Sequence, residues 1–389
     1  MKAIAVSIEP EILTWLVQQA NVKKMSEDTL KKIKNWQCGD KQPTFNQILD
    51  ISNETKLPLG YFFLKTPPVE DYSFMEYRTI NSRSFDNPSR DLIDTIDEME
   101  YVQDWMRDYL IQSNSMPLDF VGAASHIVSS VDIANRIRDY LNLDVEWYRK
   151  NKGAEDSFRS IQKFAQNSGI LIMKSGIVKG NTHRTLDIKE FRAFTLIDKY
   201  APLIFINTND SKNGQLFSIL HEIAHIWFGE NNLFNNQKDV DNNLKPIEVK
   251  CNSIASEILV PQSIFVDKWE KSKDEESELL INDLSKYFKC GQTVIARKAL
   301  DNGYIKKELY EQIMNTAISY YLESVKNNAG GGDYYRTAAS RIDNRFLLSL
   351  ATSVQEGKTL YSDAFRLTNT NHKTFLKLVE NVGGRNKHV

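Results

Sequence analysis

The sequence predicts an α+β protein: a mainly helical chain with one small mixed or antiparallel sheet in its middle and helical regions on both flanks. Two observations predict it. On the flanks, apolar residues recur at helical spacing, most clearly in DLIDTIDEMEYVQDWMRDYL (91–110). Between them lie three short runs rich in β-branched or aromatic residues and bounded by Gly, Asp, Pro or Asn. These are GILIMKSGI (169–177), EFRAFTLID (190–198) and APLIFIN (201–207).

The elements follow in order. Ser26 is placed to cap a helix whose first turn carries Glu27 and Asp28, favourable at the positive end of the helix dipole; the helix ends near Gly39. A second helix follows the turn DKQPTF (40–45), and LPLGYFFLKTPP (57–68) closes this unit with apolar residues and a Pro-Pro linker. Residues 69 to about 165 read as mostly helical. Among the strand runs, Asp198-Lys199-Tyr200 makes a tight connection that favours an antiparallel pair. Next come a helix containing SILHEIAHIWFGE (218–230), a polar loop NNLFNNQKDVDNNLKP (231–246) and a helix from about Pro246 to Val260. The rest reads as helical, interrupted by NNAGGGD (327–333).

The chain has 389 residues, 41 % of them hydrophobic and 26 % charged, which suits two to three globular domains. A net charge of −2 provides no whole-chain field to recruit nucleic acid or membrane, so an acidic partner would need a local patch. No apolar run is long enough to span a bilayer, and MKAIAVSIEPEIL lacks the pattern of a secretory leader. Cys38, Cys251 and Cys290 are odd in number and far apart, which makes neither a disulfide framework nor a thiolate metal cluster. Together these features point to a cytoplasmic protein.

His221 and His225 stand four apart, so on a helix both imidazoles point to one side and can serve one ion, the HExxH spacing of zinc peptidases. On that side Ser218 and Gly214 are small, while Leu216, Leu220, Ile223 and Trp227 form an apolar stripe roughly opposite. This pattern predicts a helix anchored on one side, with room on the histidine side. A catalytic zinc site wants three protein ligands, and the helix after Pro246 offers Glu248 and Glu257. Nine residues, or about 900° of rotation, put them on opposite faces. Ile247, Cys251, Ile254 and Ile258 form the buried stripe that Glu248 and Asn252 flank, whereas Glu257 shares the far side with Lys250 and Ser253. Glu248 is therefore the expected third ligand, ahead of the loop carboxylates Glu230 and Asp239. Asn252, one turn on, is placed to hydrogen-bond a ligand from behind.

With one divalent ion held this way, zinc or another such as manganese, a bound water becomes acidic near neutral pH. Glu222, beside His221 but pointing elsewhere, is the expected general base and acid. His183, Arg192 and Tyr200 are candidate oxyanion donors. EFRAFTLID or APLIFIN could hold an extended substrate peptide by main-chain pairing, or serve simply as sheet core.

WQCGDKQPTFNQI (36–48), LPLGYFFL (57–64), EFRAFTLIDKYAPLIFIN (190–207), HEIAH (221–225), EVKCNSIASEILVP (248–261) and GGDYYRT (331–337) occur in the order found in the ImmA/IrrE metallopeptidases. The chain resembles the branch of that family with an N-terminal Cro/CI-type helix-turn-helix. The resemblance implies a zincin-like fold, metal ligands at His221, His225 and Glu248, and a catalytic Glu222. It also implies an endopeptidase whose substrate is a DNA-binding repressor, in a stress response or a mobile element. On this reading residues 1–68 form a degenerate helix-turn-helix-like domain and 69–140 a helical connector. Residues 141–275 form the metallopeptidase domain and 276–389 a C-terminal helical region.

The N-terminal unit departs from that pattern, because VKKMSEDTLKKIKN (22–35) has length for one helix where two are needed. Lys31, Lys32 and Lys34 would lie on the DNA-facing helix. The i, i+4 pairs Glu27–Lys31 and Asp28–Lys32 mark a solvated face, so DNA contact is disfavoured against protein docking. LSKYFKCGQTVIARKAL (284–300) and SDAFRLTNTNHKTFLKL (362–378) also have a helix-turn-helix rhythm, which helical packing explains equally well. The rival reading is a non-enzymatic DNA-binding regulator or antitoxin-like partner with a structural or vestigial metal site. The intact Glu222 argues against it, since a structural site has no use for a base. In a third reading the flanking helices cover the peptidase cleft until a signal arrives.

Overall fold

The computed structural model describes residues 5–18, 25–68, 76–78, 88–124, 126–229, 246–327 and 334–385. The expected loops at 231–245 and 328–333, the alternative ligands Glu230 and Asp239, and part of GGDYYRT lie outside the described residues.

Helices α1 (Pro10–Gln18), α2 (Glu27–Gln37) and α3 (Phe45–Thr55) build the N-terminal unit with a 3-10 turn at Leu59–Phe63. Ser26 caps α2 as expected, and Glu54 of α3 ties that cap down by accepting from the Ser26 amide (2.8 Å) and the Thr29 hydroxyl (2.6 Å). Ile12, Leu16, Ile33, Ile48 and Phe62 close a small core. Among the described residues one helix, α2, lies between α1 and α3. Its Lys31, Lys32 and Lys34 are exposed, with Lys32 paired to Asp28 at 2.6 Å.

Strand β1 (Glu76–Arg78) precedes α4 (Arg90–Gln112), α5 (Ser130–Tyr140) and α6 (Ala154–Asn167). The three expected strands form as β2 (Leu171–Ser175), β3 (Ala193–Leu196) and β4 (Leu203–Asn207). After them come α7 (Lys212–Phe228), α8 (Pro246–Leu259), α9 (Gln262–Lys271), α10 (Ser277–Phe288), α11 (Gln292–Asp301) and α12 (Lys307–Asn327). Helices α13 (Tyr334–Arg341), α14 (Asn344–Gln355), α15 (Tyr361–Thr368) and α16 (His372–Arg385) complete the chain. No helix of the described residues is long and apolar enough to cross a membrane.

The fold is α+β with a small mixed sheet in the order β1-β3-β4-β2. β3 and β4 are antiparallel, joined by a turn in which the Asp198 carboxylate accepts from the amides of Tyr200 and Ala201, both at 2.8 Å. β2 runs parallel to β4, and β1 pairs antiparallel with β3, with Glu76 opposite Thr195. Of the two roles open to β3 and β4, an edge for an extended peptide or plain sheet core, the strand order fits the second. β4 is interior, and β1 covers the outer side of β3.

Strand alternation divides two cores. Ile172, Ala193, Ile204 and Ile206 share one core with α5 to α12, whereas Leu171, Met173, Phe194, Leu196, Leu203 and Phe205 share the other with α4 and α13 to α16. Burial on both faces explains why APLIFIN reads as a continuous apolar run. Each fully buried side chain of this size contributes on the order of 2 kcal/mol. The two helix-turn-helix-like stretches spend their apolar faces here: Leu284, Phe288, Ile295 and Ala299 in the first core, Ala364, Leu367, Phe375 and Leu378 in the second. The C-terminal helices are locked on by Asp343. Its buried carboxylate accepts from the amides of Ile172 in β2 and Phe346 in α14, both at 3.0 Å, and from Gln166 in α6 at 2.7 Å.

Candidate metal centre

α7 begins where the Ser211 hydroxyl accepts from the Gly214 amide at 3.0 Å and ends at Gly229, whose amide donates to the His225 carbonyl at 3.1 Å. Gly229 has φ +65°, and beyond its missing Cβ lies the backbone of Gly122. That close approach lets the amides of Gly122 and Ala124 donate to the carbonyls of Ile226 (3.1 Å) and Trp227 (2.7 Å). The last turn, which carries His225, is thereby satisfied by backbone from a distant loop. The expectation of an open histidine side is corrected. Every residue from Gln215 to Phe228 except Phe217 is buried, because α6, α8 and the sheet surround the helix.

His221 Nε2 and His225 Nε2 are 3.0 Å apart, and Glu248 from α8 brings Oε2 to 3.2 Å of the first and Oε1 to 3.3 Å of the second. Four bonds of about 2.0–2.1 Å at tetrahedral angles would set neighbouring ligand atoms about 3.3–3.4 Å apart. The observed separations of 3.0, 3.2 and 3.3 Å approach that spacing, and two imidazole nitrogens with one carboxylate are a donor set that fits a divalent cation. The two imidazoles and one carboxylate form a group able to hold such an ion.

Burial by itself would raise the Glu248 carboxyl. The contacts with His221 and His225 outweigh it and hold the group well below the usual carboxylate range. On the far side of His221, Nδ1 lies 3.0 Å from Asn252 Oδ1. An amide oxygen only accepts, so Nδ1 carries the hydrogen, which is the arrangement that would leave Nε2 to serve an ion.

Glu257 is away from the histidines, as its rotation requires, but it does not face solvent. It is buried and paired with Lys298 of α11 at 2.9 Å, accepts from the Gln262 amide, and its carbonyl takes a hydrogen bond from Arg138. The Lys298 ammonium also donates to the Val260 carbonyl. The apolar stripe of α8 does not announce this pair, because a lysine on an isolated helix looks like a solvated one.

Glu222 is buried beside the histidines, and its Oε2 accepts from the Thr195 hydroxyl of β3 at 2.7 Å. Sequence reading passed over Thr195; the available signal was a hydroxyl inside the otherwise apolar run AFTLI. Of the candidate oxyanion donors, His183 is exposed in a turn, Tyr200 lies in the β3–β4 connection, and Arg192 stands 3.5 Å from Asp210.

Residues 165–300 match the peptidase family model described as the IrrE N-terminal-like domain, and residues 342–381 match a domain of unknown function (DUF8813). No curated protein matches the chain, and no solved structure does. The first match contains α7 and α8 whole, with all five expected site residues, and supports the ImmA/IrrE metallopeptidase family for this part of the chain.

Proposed function

We propose that the protein is a zinc-dependent endopeptidase whose substrate is a cognate helix-turn-helix repressor, with cleavage relieving repression in a stress response or mobile element. The observation that carries the enzymatic part is the convergence of His221, His225 and Glu248, with Glu222 one residue from a ligand yet turned to Thr195 instead. A structural metal site has no use for that fourth group.

In this reading His221, His225 and Glu248 hold the ion and Asn252 fixes the tautomer of His221. When bound, the ion lowers the pKa of a coordinated water and polarises the scissile carbonyl. Glu222 accepts the water's proton on its carboxylate and delivers it to the departing amine nitrogen, so the carboxylate is regenerated each turnover. The buried surroundings strengthen these charge interactions relative to water.

Glu222→Gln tests the assignment. The variant is expected to bind one zinc per chain as tightly as wild type and to lose cleavage of the candidate repressor by on the order of 100-fold or more. Full-rate cleavage by this variant would refute the mechanism. Tight, salt-stated binding to promoter DNA with no proteolysis by wild type would favour the regulator reading.

A further inference from the structure

We infer that Thr195 is a positioning residue for Glu222, an inference that rests on the peptidase reading above. Thr195 is 3 % exposed on β3 and faces α7, on the sheet face that otherwise presents Ile172, Ala193, Ile204 and Ile206 to the core. A valine would fill this place with the same branched shape and the same strand preference. A hydroxyl here loses water and must find a partner, and its partner is Glu222.

The Thr195 hydroxyl lies 2.7 Å from Glu222 Oε2 and 3.5 Å from the Glu222 carbonyl oxygen. It has one proton, and the shorter contact, to the carboxyl oxygen, takes it. β3 is rigid at this point, paired on both sides by β1 and β4. Thr195 thus anchors one carboxylate oxygen to the sheet while His221 and His225 are carried by the helix. That fixes the rotation of the carboxyl group and with it the direction in which the second oxygen exchanges a proton. Without this hydrogen bond the carboxyl group would lose one hold on its rotation, and a general base misplaced by about 1 Å loses most of its advantage.

The test uses the full chain loaded with cobalt(II), whose visible spectrum reports the ion's surroundings, and acetohydroxamate as the probe. This acid chelates a bound ion through its two oxygens as the anion, and its acidic proton passes to the neighbouring carboxylate base. Its affinity therefore reads the placement of Glu222 without a substrate. For Thr195→Val the expected result is cobalt affinity within about twofold of wild type and hydroxamate affinity lowered about tenfold or more, by analogy with displaced general bases. Thr195→Ser, which keeps the donor, is expected within about threefold of wild type on both readouts. Thr195→Ala, read in the same way, serves if the valine variant does not fold.

Wild-type hydroxamate affinity in Thr195→Val overturns the inference, as does a loss in step with cobalt affinity, or a serine variant no better than the valine one. Glu222→Gln is the control that separates the two claims. If it keeps wild-type hydroxamate affinity, the base assignment itself falls and Thr195 has no proton transfer to serve. If it loses that affinity while Thr195→Val keeps it, only the role of Thr195 falls.

Discussion

The two glutamates of α8 allow a direct contrast: nine residues apart, Glu248 meets two histidines and Glu257 a lysine. Glu257 is 8 % exposed and Lys298 7 % exposed, and the pair meets at 2.9 Å with further donors from Gln262 and a further acceptor at Val260. Burial pulls the Lys298 ammonium pKa down and Glu257 pushes it back up, so the charge depends on its partner. Removing one member of such a buried pair costs about 3–5 kcal/mol, since the other charge is left uncompensated. At roughly 2–3 °C per kcal/mol for a large chain, Glu257→Gln should lower the melting temperature by roughly 6–15 °C. Its zinc affinity, measured by competition with a chromophoric chelator, should stay within about threefold of wild type, as no metal ligand is touched. Glu248→Gln, by contrast, should weaken zinc by on the order of 100-fold or more. A Glu257→Gln protein that melts normally, or that loses zinc while Glu248→Gln keeps it, would refute the assignment.

Three further outcomes follow from other parts of the fold. Gly229→Ala should cost about 2–4 kcal/mol by urea unfolding, because the added Cβ meets the Gly122 backbone at φ +65°, whereas Gly303→Ala, at φ +73° in open space, should cost only about 1 kcal/mol. Burial raises the carboxyls of Glu98 and Glu100 on α4 to about 7, so their stabilising contribution is complete below pH about 4.5 and is lost as pH rises through about 7. Melting temperatures between pH 5 and 8 should therefore fall less steeply in Glu98→Gln than in wild type, and an unchanged slope would contradict the burial that raises this carboxyl. Thiol labelling of the native protein should modify exposed Cys38 rapidly and spare Cys251 and Cys290, the latter thiol being pushed up to about 12 by burial. Equal labelling of all three without denaturant would mean that the first core is open.

Much of this arrangement was readable from residue order because single helices and strands have fixed periods. Four-residue spacing put His221 and His225 together, and nine-residue spacing separated Glu248 from Glu257 before any contact was known. The strand runs stood out because both faces of the sheet are buried. Features that depend on a second element were not readable. Thr195 looks like any strand threonine until α7 is laid against its face, and Lys298 looks solvated until α8 and α5 close over it. The three residues of β1 form no apolar pattern of their own and become a strand only by pairing with β3. Likewise the approach of Gly122 to Gly229 joins segments more than a hundred residues apart, and neither glycine announces its partner.

X-ray absorption on the zinc-loaded protein reaches the central claim most directly. Wild type is expected to show an all-nitrogen and oxygen shell at about 2.0–2.1 Å, with scattering from two imidazoles and no sulfur. Glu222→Gln should leave that shell unchanged, His225→Ala should remove one imidazole, and Glu248→Gln should lose the ion or rearrange it. A wild-type shell that survives Glu248→Gln intact, or that changes with Glu222→Gln, would contradict the assignment of ligands and base.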